Sequence, residues 1–296
     1  MSKRSRDRQL AKLAARRQAE RSAAHRRRNL ITGGVAGVIA LVVVIVGLGV
    51  LLGDDPDTGA AGPTASPSAS PTGTPSASPE PGTQTGTVTP TAPNDTGTVA
   101  CGAEAPPGAG EPKPQFAGPP PMKIDAKATY TATMVTSCGT IVIELDPKRA
   151  PQTVNSFVFL ARQGFFDGQY FHRLDTSIDV IQGGDPSGTG SDGPGFAIPD
   201  ELKGDESYTP GTLAMANAGP NTGGSQFFLI TGPAGTNLDG NPNYTIFGHV
   251  TEGLDVAQRI QALPIVDPNA ADLSGQRPVD SVYLDEVTIR KTGGAA

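Results

Sequence analysis

The sequence predicts a mainly β domain of short antiparallel strands with two helices, carried behind one membrane-spanning helix and a long linker. Three observations predict it. Residues 30–52 carry no charge. Residues 53–121 are rich in Pro, Gly, Ser, Thr and Ala. From Met122 onward, short apolar runs alternate with Gly-rich turns. A chain of 296 residues is long enough for one or two ordinary domains, and only its last part has a composition that can build a core.

Residues 1–29 read as a basic cytoplasmic tail, with 11 Lys or Arg against Asp7 and Glu20. The remaining 267 residues hold 12 basic and 27 acidic side chains, so the net charge of −6 hides a basic end on an acidic body. Residues 30–52 read as the transmembrane helix: 23 uncharged residues reach about 35 Å as a helix, enough for a hydrocarbon core of about 30 Å. Arg26-Arg27-Arg28 on one side and Asp54-Asp55 on the other put the N-terminus in the cytoplasm and the rest outside. A cleaved signal peptide is the rival reading, but its apolar core is shorter and a small-residue cleavage site follows it; here Gly53-Asp54-Asp55-Pro56 follows. The tail has no interleaved aromatic residue, so no nucleic-acid partner is expected. Its role is orientation, with anionic lipid head groups as a possible contact.

Residues 53–121 read as a disordered linker. They hold 16 of the 28 prolines and one aromatic residue, Phe116, too little apolar surface to offset chain entropy. The two cysteines, Cys101 and Cys138, fall on the outer side of the expected membrane, where a pair tends to form a disulfide. Such a bridge ties the end of the linker to the first hairpin; two independent thiols are the alternative.

Residues 122–296 read as the folded domain. Tyr130–Thr136 and Thr140–Leu145 are β-rich runs around Cys138-Gly139 and form a hairpin. Pro151 to Gly164 is a helix, with proline in its first turn, Val154, Phe157, Val158 and Ala161 on one face, and Gly164 as its stop. Phe171–Leu174, Val180–Gln182, Thr212–Asn217, Gln226–Thr231 and Tyr244–Val250 are short strands. Glu252–Leu263 is a second helix, with Leu254, Ala257, Ile260 and Leu263 along one stripe, and Val282–Arg290 closes as a strand. This pattern fits a barrel with helical plugs or a sandwich.

Several chemistries find no support. The three histidines, His25, His172 and His249, have no metal-ligand spacing around them. Gly188-Thr189-Gly190-Ser191-Asp192-Gly193 spells a dinucleotide-type glycine pattern, but it leads into Pro194 rather than a helix and reads as a surface loop. Ser225 has no neighbouring base.

Two separated signatures remain. One is Tyr170-Phe171-His172-Arg173, followed after eight residues by Gln182-Gly183-Gly184-Asp185. The other is the fourteen-residue block from Met215 to Phe228. Together they resemble the cyclophilin family of peptidyl-prolyl isomerases. The resemblance covers about residues 127–292 and implies a closed eight-stranded antiparallel β-barrel capped by two α-helices. It implies isomerisation of X-Pro bonds without a cofactor, by electrostatic stabilisation of the twisted amide. Arg173 matches the donor to the proline nitrogen, Gln182 the residue that orients it, Asn217 the backbone that pairs with the peptide, and His172 a histidine beside the site. Phe228 matches the wall of the proline pocket, with Met215, Ala216, Gln226, Leu238, Ile178, Val180 and Tyr244 as further substrate contacts. Gln226 and Phe228 share a strand face, as a common site requires. Read alone, Arg173 is an ion-pair partner and Phe228 ordinary core; both signatures together weigh against that.

The departures from the family are local. The segment Leu174–Ile181 is one residue longer than the family's and lacks its phenylalanine, so Ile178 or Val180 takes the pocket floor. The family's drug-contacting tryptophan aligns with Asn237, and a nearby histidine position is Tyr244, which predicts weak cyclosporin binding. The expected function is a membrane-tethered, monomeric isomerase facing the extracytoplasmic side and acting on proline-containing segments of exported proteins. A non-catalytic proline-binding chaperone or scaffold module is the alternative, and an envelope structural protein a third reading.

Overall fold

The computed structural model describes residues 80–90, 97–269 and 275–293. The expected tail, transmembrane helix and the first part of the linker lie outside these residues. Among the described residues no helix is long and apolar enough to cross a membrane.

The core hairpin forms where the sequence alternates. Strands β3 (Thr129–Thr136) and β4 (Gly139–Leu145) bury every second residue. Their register sets Tyr130 opposite Leu145, Ala132 opposite Ile143 and Met134 opposite Ile141, so one face is a continuous apolar strip. Helix α1 (Pro151–Arg162) buries Val154, Phe157, Val158, Leu160 and Ala161. It starts on a proline without a local cap. Glu201 supplies one from outside: its carboxylate accepts the amides of Gln152 and Thr153 at 3.1 and 2.9 Å and the Thr153 hydroxyl at 2.8 Å. Acceptors and negative charge at this end satisfy otherwise orphaned amides. Inside, Phe157 packs 4.9 Å from Phe166, 5.7 Å from Phe227 and 5.4 Å from Phe247, ring centre to ring centre.

The remaining strands are β5 (Gln169–Tyr170), β6 (Arg173–Asp175), β7 (Val180–Gly183), β8 (Thr212–Met215), β9 (Phe227–Ile230), β10 (Ile246–Glu252) and β11 (Tyr283–Thr292), with helix α2 (Leu254–Gln261) before the last. Gly253 opens α2 with φ 83°, and a side chain there would strike the Thr140 carbonyl.

The eight-stranded closed barrel expected from the resemblance is corrected to a curled nine-stranded antiparallel sheet, in the order β5-β11-β3-β4-β10-β8-β9-β7-β6. Its edges, β5 and β6, are consecutive in the chain and separated by Phe171-His172. Those two residues donate to Val282 and Gln182 instead of continuing a ladder. In place of the expected strand Phe171–Leu174 there are two shorter ones, β5 ahead of it and β6 over its second half and Asp175.

The linker expectation is also corrected over its second part. Strands β1 (Gln84–Val88) and β2 (Lys113–Phe116) form a two-stranded antiparallel sheet within residues 53–121. Cys101 and Cys138 are disulfide-bonded. Composition averaged over the segment conceals its anchors: Phe116 is buried with its ring centre 4.9 Å from that of Phe159, and Lys113 is buried. Docking to the domain and one covalent crosslink offset the entropy that the proline-rich composition argues from.

Candidate active site

The site is a row that runs across the sheet rather than along the chain. Arg173 of β6 is the register partner of Gln182 of β7, Gln182 of Phe228 of β9, and Phe228 of Ala214 of β8. Directly opposed residues on neighbouring strands share a face, so four strands place a guanidinium, an amide and a phenyl ring side by side.

Arg173 is clamped from three sides. Its Nε donates to Gln276 Oε1 at 2.6 Å, one Nη donates to Gln182 Oε1 at 2.9 Å, and the other pairs with the Asp175 carboxylate. Asp175 is itself held by the Ser177 amide and hydroxyl at 2.8 and 2.6 Å. A guanidinium has five N–H bonds in a rigid plane, so two remain for a ligand among the described residues. Gln182 Nε2 in turn donates to Gln226 Oε1 at 2.9 Å, and Gln226 Nε2 to the Asp192 carbonyl at 2.9 Å. Each side-chain amide is thereby fixed in one orientation.

The row faces a cleft of about 620 Å³. At one end lies an apolar pocket: Phe228, 4 % exposed, with Ile178, Val180, Ala216, Leu238 and Tyr244 around it. Tyr244 stands edge-on to Phe228, ring centres 5.2 Å apart at 89°. Tyr208, fully buried beneath, fixes the Tyr244 backbone: its hydroxyl accepts from Tyr244 N at 3.0 Å and donates to Tyr244 O at 2.8 Å. Burial raises its phenol pKa to about 12, so it stays protonated.

Of the residues singled out in the sequence, Arg173, Gln182, Asn217, Phe228, Ala216, Gln226, Leu238, Ile178, Val180 and Tyr244 line this cleft. The Asn217 side chain ties two loops together, donating to the Asn243 carbonyl at 2.8 Å and accepting the Gly219 amide at 3.3 Å. His172 and Met215 do not line the cleft and are corrected. Successive strand residues point to opposite faces. Met215 is the register partner of Phe227, and both lie in the main core. His172 is 3 % exposed, and neither ring nitrogen has a hydrogen-bond partner. Burial lowers its pKa to about 4; Asp185 opposes the shift and Arg173 adds to it. The ring is neutral at pH 7 and packs behind the row.

The sequence reading missed four contributors. Gln276 and Asp175 hold Arg173, Tyr208 holds Tyr244, and residues Gly190–Pro194 wall the far half of the cleft. The last belongs to the glycine-rich run read as a surface loop. Its attachment to Gln226 through Asp192 carries no local sequence signal. Among the described residues no group of three or more His, Cys, Asp or Glu could hold a metal ion.

The family model for cyclophilin type peptidyl-prolyl cis-trans isomerases matches residues 131–292. Human peptidyl-prolyl cis-trans isomerase-like 1 is 46% identical over 153 residues, covering 50% of this chain and 86% of that protein. The probable peptidyl-prolyl cis-trans isomerase A of Mycobacterium bovis is 40% identical over 179 residues, covering 55% of this chain and 93% of that one. Among solved structures, a cyclophilin type isomerase of Cryptosporidium parvum is 28% identical, with a TM-score of 0.48, covering 56% of this chain and 99% of that one.

Proposed function

This chain belongs to the cyclophilin-type peptidyl-prolyl cis-trans isomerases, and from that premise we propose how and where it acts. It is an isomerase of X-Pro peptide bonds. The reaction must overcome lost amide resonance, a barrier of roughly 18–20 kcal/mol. At the twisted midpoint the proline nitrogen regains its lone pair and becomes a hydrogen-bond acceptor. Arg173 donates to that nitrogen while Phe228, Tyr244, Leu238, Ile178 and Val180 hold the proline ring. A donor fixed before reaction favours only the twisted form, and that difference is what accelerates the step. The observation that carries this reading is the lateral Arg173–Gln182–Phe228 row, with its guanidinium already immobilised on three partners.

The substrates we propose are proline-containing segments of exported proteins, reached from the outer face of a membrane by a monomeric domain on an N-terminal anchor. The uncharged stretch 30–52 behind a basic tail supports this, as does the Cys101–Cys138 disulfide, since such bonds persist in oxidising compartments. Two measurements test the proposal. X-Pro exchange should be far faster than the uncatalysed tens to hundreds of seconds and lost in Arg173→Ala. Protease added to intact cells should remove the domain and leave the basic tail; a protected domain sinks the anchor reading.

A further inference from the structure

The chain ahead of the domain runs over it as a strap. Val99 pairs in parallel with Ser281, and Cys101 is bonded to Cys138. The Gly108 backbone lies so close to Gly168 that a Cβ there would stand 2.5 Å from the Gly108 carbonyl oxygen. The Lys113 ammonium then donates to the Asp167 carbonyl. Strand β2 ends the strap against the cleft wall. Gln115 Nε2 donates to Gly193 O at 2.6 Å, and the Phe116 amide donates to Pro194 O at 2.9 Å. The Phe116 ring packs 6.5 Å from that of Phe196. Gly193, Pro194 and Phe196 all line the cleft, while the strap itself precedes the residues matched by the family model, 131–292.

The wall needs such support. Residues Gly190–Gly193 offer only small or polar side chains, with Ser191 and Asp192 exposed, so little side-chain packing can hold them. Their near end is tied through Asp185, which accepts the amides of Gly190 and Asp192, and through Gln226 on the Asp192 carbonyl. The far end, Gly193-Pro194, is tied by the strap. Gly195 (φ 88°) leaves no room between them: a Cβ there would stand 2.7 Å from the Phe116 carbonyl oxygen.

We propose that Gln115 and Phe116 are positioning residues that set substrate preference. By fixing the wall's distance from the Gln226–Gln182–Arg173 row, they decide which residues flanking the proline the cleft accepts. This rests on the reading of the cleft as the substrate site. The proline pocket is built from other elements, so the strap acts on recognition of the flanks and leaves the chemical step alone.

The test uses the full-length chain and a panel of X-Pro peptides differing only beside the proline, with KM and kcat measured by exchange spectroscopy. Gln115→Leu removes the amide donor and keeps the bulk; Gln115→Ala runs beside it. Loss of one hydrogen bond that shapes the site should raise KM about three- to tenfold for the preferred peptide. The kcat should stay within about twofold on the same basis, and the preference ratio across the panel should fall toward one. That ratio is independent of the folded fraction, so lowered stability cannot imitate the result. Phe228→Ala serves as control and should weaken every peptide alike. If Phe228→Ala weakens binding while both Gln115 variants keep the KM values and the ratio, the strap inference is overturned and the cleft reading stands. If Phe228→Ala leaves KM unchanged, the cleft reading falls and the strap inference with it.

Discussion

Replacing Arg173 by alanine separates what the row does for catalysis from what it does for stability. The guanidinium is the donor proposed for the proline nitrogen, and loss of one preorganised donor typically costs about a hundred- to a thousandfold in kcat. The same change removes three internal bonds, to Gln276, Gln182 and Asp175. The Asp175 side chain is 6% exposed and that of Arg173 20%. A carboxylate stripped of all support at such depth would cost about 3–5 kcal/mol. Asp175 keeps the Ser177 amide and hydroxyl, so about 1–3 kcal/mol is expected. Arg173→Lys keeps the charge but not the planar fork and should fall between alanine and wild type in both quantities. Exchange spectroscopy at saturating X-Pro peptide gives kcat, and thermal melts of the same samples give stability. A folded Arg173→Ala protein with a near-native kcat would refute the electrostatic mechanism and leave the apolar pocket as the source of acceleration.

Three further outcomes are expected. Burial holds His172 near a pKa of about 4 in the folded chain, against about 6.5 when unfolded. The unfolded state therefore binds the proton first, and stability present above about pH 6.5 is lost as pH falls through about 4, by roughly 3 kcal/mol at most. Denaturant midpoints at pH 7 and 4.5 should differ less in His172→Leu than in wild type; equal differences would exclude His172 as the cause. Opening the Cys101–Cys138 bond, whose partners are 37 residues apart, releases loop-closure entropy worth up to about 4 kcal/mol. Melting in reductant should fall accordingly, and an unchanged midpoint would mean that the strap unfolds independently of the domain. Tyr208→Phe strands the Tyr244 amide and carbonyl that the hydroxyl now serves, costing about 1–3 kcal/mol. It should raise KM for peptide, and a native KM would show that the Tyr244 ring does not depend on Tyr208.

The sequence disclosed what local alternation and contiguous motifs encode. The hairpin around Gly139, the buried face of α1 and the common face of Gln226 and Phe228 are all period-two or period-3.6 statements, and the structure keeps them. The same alternation, applied one residue earlier, would have turned His172 away from Arg173 and Met215 away from the cleft. Resemblance of the motif carried those two into the site, where strand geometry does not. What was not legible is long-range. Gln276 meets Arg173 across 103 residues of separation, and Gln115 meets Gly193 across 78; nothing near either position announces its partner. Apart from the Cys101 bridge, the strap was lost to averaging, because a few anchors such as Phe116 and Lys113 outweigh many prolines that merely do not oppose docking.

The segment between Arg173 and Gln182 shows how a departure in sequence can leave the site intact. Its eight intervening residues have to turn without moving the β6–β7 register, since a slip of one would turn Arg173 or Gln182 to the other face. The turn closes through Asp179, which sits in the left-handed region with φ 49°. That conformation costs energy for a non-glycine residue, though asparagine and aspartate tolerate it best. Three contacts hold it: the Asp179 carboxylate accepts the Ala234 amide at 2.8 Å, and its carbonyl accepts the Thr231 amide at 2.8 Å and the Thr231 hydroxyl at 3.0 Å. Arg173 therefore remains opposite Gln182. Ile178 and Val180 then reach the pocket as aliphatic floor, and the aromatic character of the pocket comes from the opposite side, where Tyr244 stands against Phe228 on a backbone pinned by Tyr208. The apolar pocket beside Phe228 thus takes its shape from Ile178, Val180 and Tyr244, while the polar Arg173–Gln182 row stays in register.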